Sequence, residues 1–294
     1  YDYDGSTYVE LFYISSGTTL ETQKEKFNEA LNDFVNNATM YSSEYEREKY
    51  VNDYIISNCV YDDEAAYNNN TKGNVSTAYG VLVDGKAICE GYARAFQLLC
   101  NKLGIECVSI AGMTDDVGHE WNCAKIDGNW YQVDVTWNDS QDDFSNYYYF
   151  NLTDEQMYSS HRADDLFDEI EPDNYNNDEN LIGNLYVPEC NSTEYNYYNQ
   201  TAPILYAFDE ENDNTISNAL ANSAVNGDNY FNIIVDDSLD FEDAYSTLVQ
   251  DGYVVNYIES ANNMLWGEVE LDTSSYAYKN DTLRVITIVL NYIT

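Results

Sequence analysis

The chain has 294 residues, and its 12 Lys and Arg against 53 Asp and Glu give a formal net charge of -41. Charge of that sign repels phosphate backbones and anionic lipid headgroups, which excludes nucleic-acid binding and polybasic membrane attachment as leading functions. A hydrophobic content of 44% and a mean hydropathy of -0.53 fit a soluble globular chain, long enough for one large domain or two ordinary ones.

In chain order, residues 8–14 are rich in aromatic and β-branched side chains and predict a strand. Thr18 or Thr19 is positioned to cap a helix running to about Asn37, with Phe27, Ala30, Leu31, Phe34 and Val35 on one face. A second helix is predicted over 43–57, presenting Tyr50, Val51, Tyr54 and Ile55. Residues 68–73 form a loop by composition, and 79–86 predict a short extended piece closed by an Asp84-Gly85 turn. A helix then begins near Cys89, carries Tyr92, Ala93, Phe96, Leu99 and Leu103 inward, and stops at Gly104 in a left-handed cap. Strands are expected over 105–113, 119–126 and 130–137, the last two joined by a hairpin turn at Asp127-Gly128-Asn129. Residues 139–180 are acidic and loop-rich with one short helix near 154–160, and Pro172 and Pro188 mark a linker. After Pro203, helices at 215–225 and 238–250 alternate with strands at 230–235, 253–258, 265–271 and 283–292. That order suggests a small α/β domain, a two-layer plait. The longest apolar stretch, 285–293, is broken by Thr287 and Asn291 and is far too short to span a bilayer.

The chemistry concentrates between residues 76 and 138. A thiol attacks as thiolate, and free cysteine has a pKa of about 8.5. Cys89 falls at the start of a helix, where unpaired N–H groups favour negative charge; a small packing residue is the other reading. His119 is one of two histidines, the other being His161, for which a surface or structural role is expected. If Asp127-Gly128 forms a two-residue turn, Ile126 faces Asn129 and Trp121 falls opposite Asp134. His119 is then a diagonal neighbour of Asp134 on one face, whereas a three-residue turn would separate them. Asp134 interrupts an apolar run from Tyr131 to Trp137, so its carboxylate needs a partner. A histidine N–H supplies one and fixes the tautomer; backbone or Trp N–H groups are the structural alternative.

Other readings are weaker. Residues 209–220 fail as a calcium loop, because Asn214 and Leu220 stand where Gly and Glu are required. The six cysteines contain no C-x-x-C pair, so no metal centre is predicted, and Cys100 and Cys123 fall in apolar segments as small buried hydrophobes.

The run Ala87-Ile88-Cys89-Glu90-Gly91-Tyr92-Ala93-Arg94-Ala95-Phe96 resembles the cysteine motif of the transglutaminase-like superfamily. Gly118-His119-Glu120-Trp121-Asn122 is similar to its histidine motif, and 130–137 to its aspartate motif, in the same order and spacing. The likeness covers roughly 44–165, with Tyr147 to Phe150 as a further strand, and looks nearest to the bacterial, envelope-associated branch. It implies an α+β, papain-like core in which a cysteine-bearing helix packs on an antiparallel sheet, followed by a smaller C-terminal α/β domain. The organisation expected is an N-terminal strand–helix extension at 1–43, a catalytic domain at 44–180 and an accessory domain at 181–294. The implied catalytic residues are Cys89, His119 and Asp134. Tyr79 is the first candidate for an upstream oxyanion donor, and Trp121 and Trp137 are candidates for the substrate channel wall, with core packing the alternative for all three.

The activity implied is thiol-dependent acyl transfer on protein or peptide amides, with hydrolysis favoured over glutamine crosslinking and no cofactor. The contrasting reading is a catalytically silent extracellular binding or scaffold module, against which the complete triad argues. The expected partner is a protein or peptide substrate, with the cell wall a candidate site. Because the chain begins at Tyr1, a preceding signal or anchor segment is expected, placing the protein in a secreted or envelope-associated setting.

Overall fold

The structure, a computed structural model, describes residues 16–68, 73–115, 117–140, 142–163, 187–267 and 269–293. It also gives the backbone of Asp2–Tyr3 (β1) and Ser6–Thr7 (β2), which pair antiparallel. The strand expected at 8–14 and most of the expected linker, Pro172 included, lie outside the described residues.

Helix α1 (Gly17–Ala38) starts after an extended Ser16, so Thr18 and Thr19 fall inside its first turn instead of capping it. Helix α2 (Glu44–Asn58) opens with a capping box in which the Ser43 hydroxyl accepts from the Glu46 N–H and Glu46 reaches back to the Ser43 N–H. Phe34 of α1 stacks on Tyr50 and meets Tyr54 edge-on, with centroids 5.0 and 4.9 Å apart. The next residues, β3 (Val60–Tyr61), lie parallel to β4 (Lys86–Ala87), and α3 (Asp63–Tyr67) follows β3. Residues Gly80–Asp84 make one π-helical turn, not the expected extended piece. The β-branched run misleads there because burial of Val81 among α1, α2 and the next helix decides the local conformation.

That helix, α4 (Cys89–Lys102), buries Tyr92, Ala93, Ala95, Phe96, Leu99 and Cys100 and ends before Gly104, which has φ +82°. It packs on a curled antiparallel sheet of β5 (Glu106–Thr114), β6 (Val117–Ile126) and β7 (Asn129–Val133). Asp127 and Gly128, with φ of 47° and 90°, form the two-residue turn that pairs Ile126 with Asn129. Strand β7 stops at Val133, four residues before the expected end, because Asp134 caps α5 (Val135–Asn138). Tyr147 to Phe150 run through turns and not a strand, although Leu152 bridges Gln132 beside β7. After α6 (Asp154–Met157), β8 (Arg162–Ala163) completes the sheet order β7-β6-β5-β8.

Beyond residue 187 come α7 (Tyr197–Thr201), β9 (Ile204–Leu205), α8 (Glu210–Asn226), β10 (Tyr230–Val235) and α9 (Phe241–Tyr245). They are followed by α10 (Val254–Met264), β11 (Ala277–Asn280) and β12 (Val285–Val289). These build a second sheet in the order β11-β12-β10-β9, parallel only between β10 and β9. Residues 254–258 belong to helix α10 and not a strand: Val254, Tyr257, Ile258 and Ala261 are buried at helical spacing. The strand expected at 265–271 is a turn through Trp266 and Gly267, with a single bridge from Leu271 to Tyr292. Helix α9 and a π-helical turn, Ser246–Gln250, divide the helix expected over 238–250.

Each four-stranded sheet has its own apolar core. A third cluster joins them: Trp121 and Cys123 of β6 meet Cys190, Tyr198 and, from the second sheet, Val285. Phe144 also stacks on Tyr278 with centroids 4.1 Å apart.

Candidate active site

Cys89 is the first residue of α4, after an extended Ile88. Ile88 anchors this entry, because its N–H donates to Val75 O at 3.0 Å and its carbonyl accepts from the Gly91 N–H at 2.8 Å. Gly91 explains part of the motif: a Cβ there would fall 2.5 Å from Val75 O and 2.7 Å from the Ala87 Cβ, so only glycine fits. Farther along, the Tyr92 hydroxyl donates to Asp139 Oδ2 at 2.5 Å, tying α4 to the residue after α5. The Cys89 residue is 8% exposed.

His119 sits near the start of β6, its side chain 7% exposed, and its Nε2 is 2.7 Å from Asp134 Oδ2. The Asp134 carboxylate is fully buried and uses its two oxygens differently. Oδ1 accepts from the N–H groups of Thr136 and Trp137 at 2.9 and 3.2 Å, capping α5. Oδ2 faces His119 and also His161, whose Nε2 is 3.0 Å away. Burial alone would raise Asp134, but the charge and hydrogen bonds of the two histidines outweigh it and hold the carboxyl down at about 2. For His119, burial pulls downward, while the Asp134 charge, their hydrogen bond and the Cys89 thiol together push it up to about 10. With Nε2–H engaged by the carboxylate, Nδ1 is the ring atom left for the thiol.

Of the surface or structural role expected for His161, its position fits the structural one. It is 3% exposed and its Nδ1 meets Ser160 Oγ at 2.8 Å. Its ring lies 4.6 Å from Trp137 and 5.1 Å from Trp121. His119, Asp134 and His161 bring ligand atoms within 4.8 Å of one another, the one such group among the described residues. Both rings turn Nε2 to the same carboxylate oxygen, so both carry a proton where a metal would need a lone pair. The arrangement fits a hydrogen-bonded relay better than a ligand set.

The remaining expected residues divide. Trp121 is 1% exposed, and its indole N–H donates to Gln132 Oε1 at 2.7 Å, a core position behind the site. Trp137 is half-buried, with its ring 6.0 Å from His119, and does flank the imidazole. Tyr79 stacks on Phe27 of α1 at 6.1 Å. The tyrosine beside the thiol is Tyr61, at the end of β3, a residue that no motif marks. Burial and then the neighbouring Cys89 push its hydroxyl up to about 12. Only the parallel pairing of Tyr61 with Ala87, two residues before Cys89, would have revealed it, and parallel contacts leave no local signal. Asn122 of the histidine motif donates to Ala93 O at 3.1 Å, fastening β6 to α4. Two open clefts of about 630 and 700 Å³ lie against the second sheet, and none of the three candidate catalytic residues lines either.

Residues 32–135 match the sequence profile of the Transglutaminase-like superfamily, and the chain carries a transglutaminase-like core over that span. The kyphoscoliosis peptidase of Mus musculus is 29% identical over 175 residues, covering 55% of this chain and 26% of the relative. That of Homo sapiens is 26% identical over 167 residues, covering 53% and 24%. The chain thus spans about a quarter of the length of these curated relatives. Among solved structures, a TGase shares 20% identity over 44% of this chain and 35% of its own, with a TM-score of 0.36. A Cytophaga hutchinsonii protein provisionally described as a cysteine protease shares 19% over 39% and 37%, with a TM-score of 0.30.

Proposed function

We propose that the chain is a thiol-dependent acyl-transfer enzyme acting on protein or peptide amides, with hydrolysis its main outcome. The observation that carries this is the buried 2.7 Å bond from His119 Nε2 to Asp134 Oδ2, which orients the imidazole so that Nδ1 serves the thiol. Cys89 attacks the amide carbon as thiolate while His119 holds the proton. The tetrahedral oxyanion is received by the Cys89 backbone N–H, with the Tyr61 hydroxyl as second donor. Tyr79, the first candidate for that donor, is held away on Phe27. Collapse releases the amine, protonated by His119, and leaves a thioester. Water, activated by the same imidazole, then releases the acid; a primary amine arriving instead would give a crosslink. Trp137 walls the channel beside His119, and the C-terminal unit positions the substrate. The names of the peptidase relatives support hydrolysis, and a secreted or envelope-associated setting rests on the lysine-poor acidic composition alone.

The test is alkylation with iodoacetamide at pH 6, mapped by mass spectrometry, followed by assay on unfolded protein and on a glutamine peptide with and without an amine. Cys89 should label far faster than Cys59, His119→Ala should slow it, and peptide cleavage should vanish in Cys89→Ala. Equal labelling of Cys89 and Cys59, unchanged by His119→Ala, would reject the reading in favour of a silent binding module.

A further inference from the structure

Cys123 and Cys190 place their sulfurs 3.9 Å apart, both side chains fully buried. They come from chain positions 67 residues apart: Cys123 is on β6, four residues beyond His119, and Cys190 lies in the segment leading to the second sheet. The approach is held from both sides. The Cys190 N–H donates to Asp154 Oδ2 at 3.0 Å and its carbonyl accepts from the Asp154 N–H at 2.8 Å. The Cys123 thiol lies 3.4 Å from Gln132 Oε1, and Gln132 in turn donates to Asp154 Oδ1 at 2.8 Å. One buried amide and one carboxylate therefore fix both cysteines in facing positions.

We propose that Cys123 and Cys190 form a structural disulfide when the protein folds in an oxidising environment. Closing 3.9 Å of sulfur separation to a bond of about 2 Å asks each sulfur to move by only about 1 Å. A small-molecule disulfide is the oxidant. One cysteine thiolate attacks it and expels one thiol, and the second cysteine then displaces the other; the two protons leave with the two small thiols. Each cysteine thus gives up one electron to the broken sulfur–sulfur bond of the oxidant. Full burial sets the timing: exchange needs an accessible thiolate, so the bond forms while the chain is still folding and is shielded from reductants afterwards. Cys89, at the mouth of α4, is 8% exposed and does not share this contact, so the nucleophile stays free. The bond would staple the sheet carrying His119 to the segment entering the C-terminal unit, through the cluster where Leu283 and Val285 already meet Trp121.

The experiment refolds Cys89→Ala from guanidinium, once with oxidised and reduced glutathione and once with reductant alone. Expected under the oxidising arm are an intact mass lower by two hydrogen atoms, a linked Cys123–Cys190 peptide pair in the digest, and a thermal midpoint about 10 °C above the reduced protein. The midpoint difference should disappear in Cys190→Ala, while the reduced form of that variant melts close to the reduced parent. Full retention of free thiols after oxidative refolding would overturn the proposal. So would a bridge mapped to Cys100 and Cys107, whose side chains also adjoin each other, with Cys123 and Cys190 still free. Because Cys89 is absent from the tested chain, neither outcome bears on the catalytic reading.

Discussion

Replacing Asp134 by asparagine changes one atom at the centre of the site and keeps its shape. The amide oxygen can still accept from Thr136 and Trp137, so the cap on α5 survives. The amide nitrogen, however, must face two imidazole nitrogens that now carry their own protons. Relief requires His119 to move its proton to Nδ1, the atom that has to accept from the thiol. The magnitude follows from the electrostatics. Raising His119 from 6.5 to about 10 is worth roughly 5 kcal/mol to the imidazolium, shared between Asp134 and Cys89. Burial, already the largest influence on His119, then acts without the carboxylate to oppose it, and the imidazole should fall below its ordinary value. A loss of 3–5 kcal/mol in the charged pair corresponds to about 10²–10⁴ in the rate of a reaction that depends on it. The assay is the rate of Cys89 alkylation from pH 5 to 8, run beside a histidine titration by NMR, which is simple because the chain has two histidines. Unfolding midpoints confirm that the variant folds. Identical alkylation rates and pH profiles for the two proteins would refute the reasoning, whatever the effect on stability.

Glu48 is fully buried, accepts from Asn151 Nδ2 at 2.7 Å, and is raised by burial from 4.5 to about 8. Its neutral form favours the fold, so its contribution is complete below pH 4.5 and is lost as pH rises towards 8, by up to roughly 5 kcal/mol. Glu48→Gln should therefore melt with the wild type at pH 4 and well above it at pH 8; parallel curves at both values would contradict this. Gly91→Ala should cost roughly 1–3 kcal/mol in denaturant unfolding and slow Cys89 alkylation, since the added methyl drives the start of α4 off Val75 and Ala87. His161→Phe removes one donor from Asp134 and should cost about 1–3 kcal/mol of stability, yet leave His119 bound to the carboxylate and Cys89 still readily alkylated. A collapse of alkylation in that variant would make His161 part of the reaction.

The sequence was most legible where spacing is local. The two-residue turn at Asp127-Gly128 sets the pairing of β6 with β7, and with it the meeting of His119 and Asp134. Helices α2 and α4 show themselves through capping and one-sided burial. What was hidden depends on distant contacts. Tyr61 reaches the thiol through a two-residue parallel pairing, and His161 reaches Asp134 from 27 residues away. Residues 253–258 alternate like a strand, but their apolar side chains are also spaced for the helical face that α10 buries. Residues 134–137 look like the end of a strand because nothing local announces that Asp134 will cap a turn of helix.

The divided use of the Asp134 carboxylate bears on how such a site can decay. One oxygen holds backbone amides of α5 and the other holds two imidazoles, so losing this residue disturbs folding as well as chemistry. Cys89 carries a lighter burden: Ile88, not Cys89, caps α4, and the Cys89 thiol meets the side chains of His119 and Tyr61. On the proposed assignment, a chain of this design can give up its nucleophile at little cost to its architecture, whereas giving up its aspartate threatens architecture and chemistry together. Inactive descendants should accumulate substitutions at the cysteine first, and the buried aspartate should outlast the activity it serves.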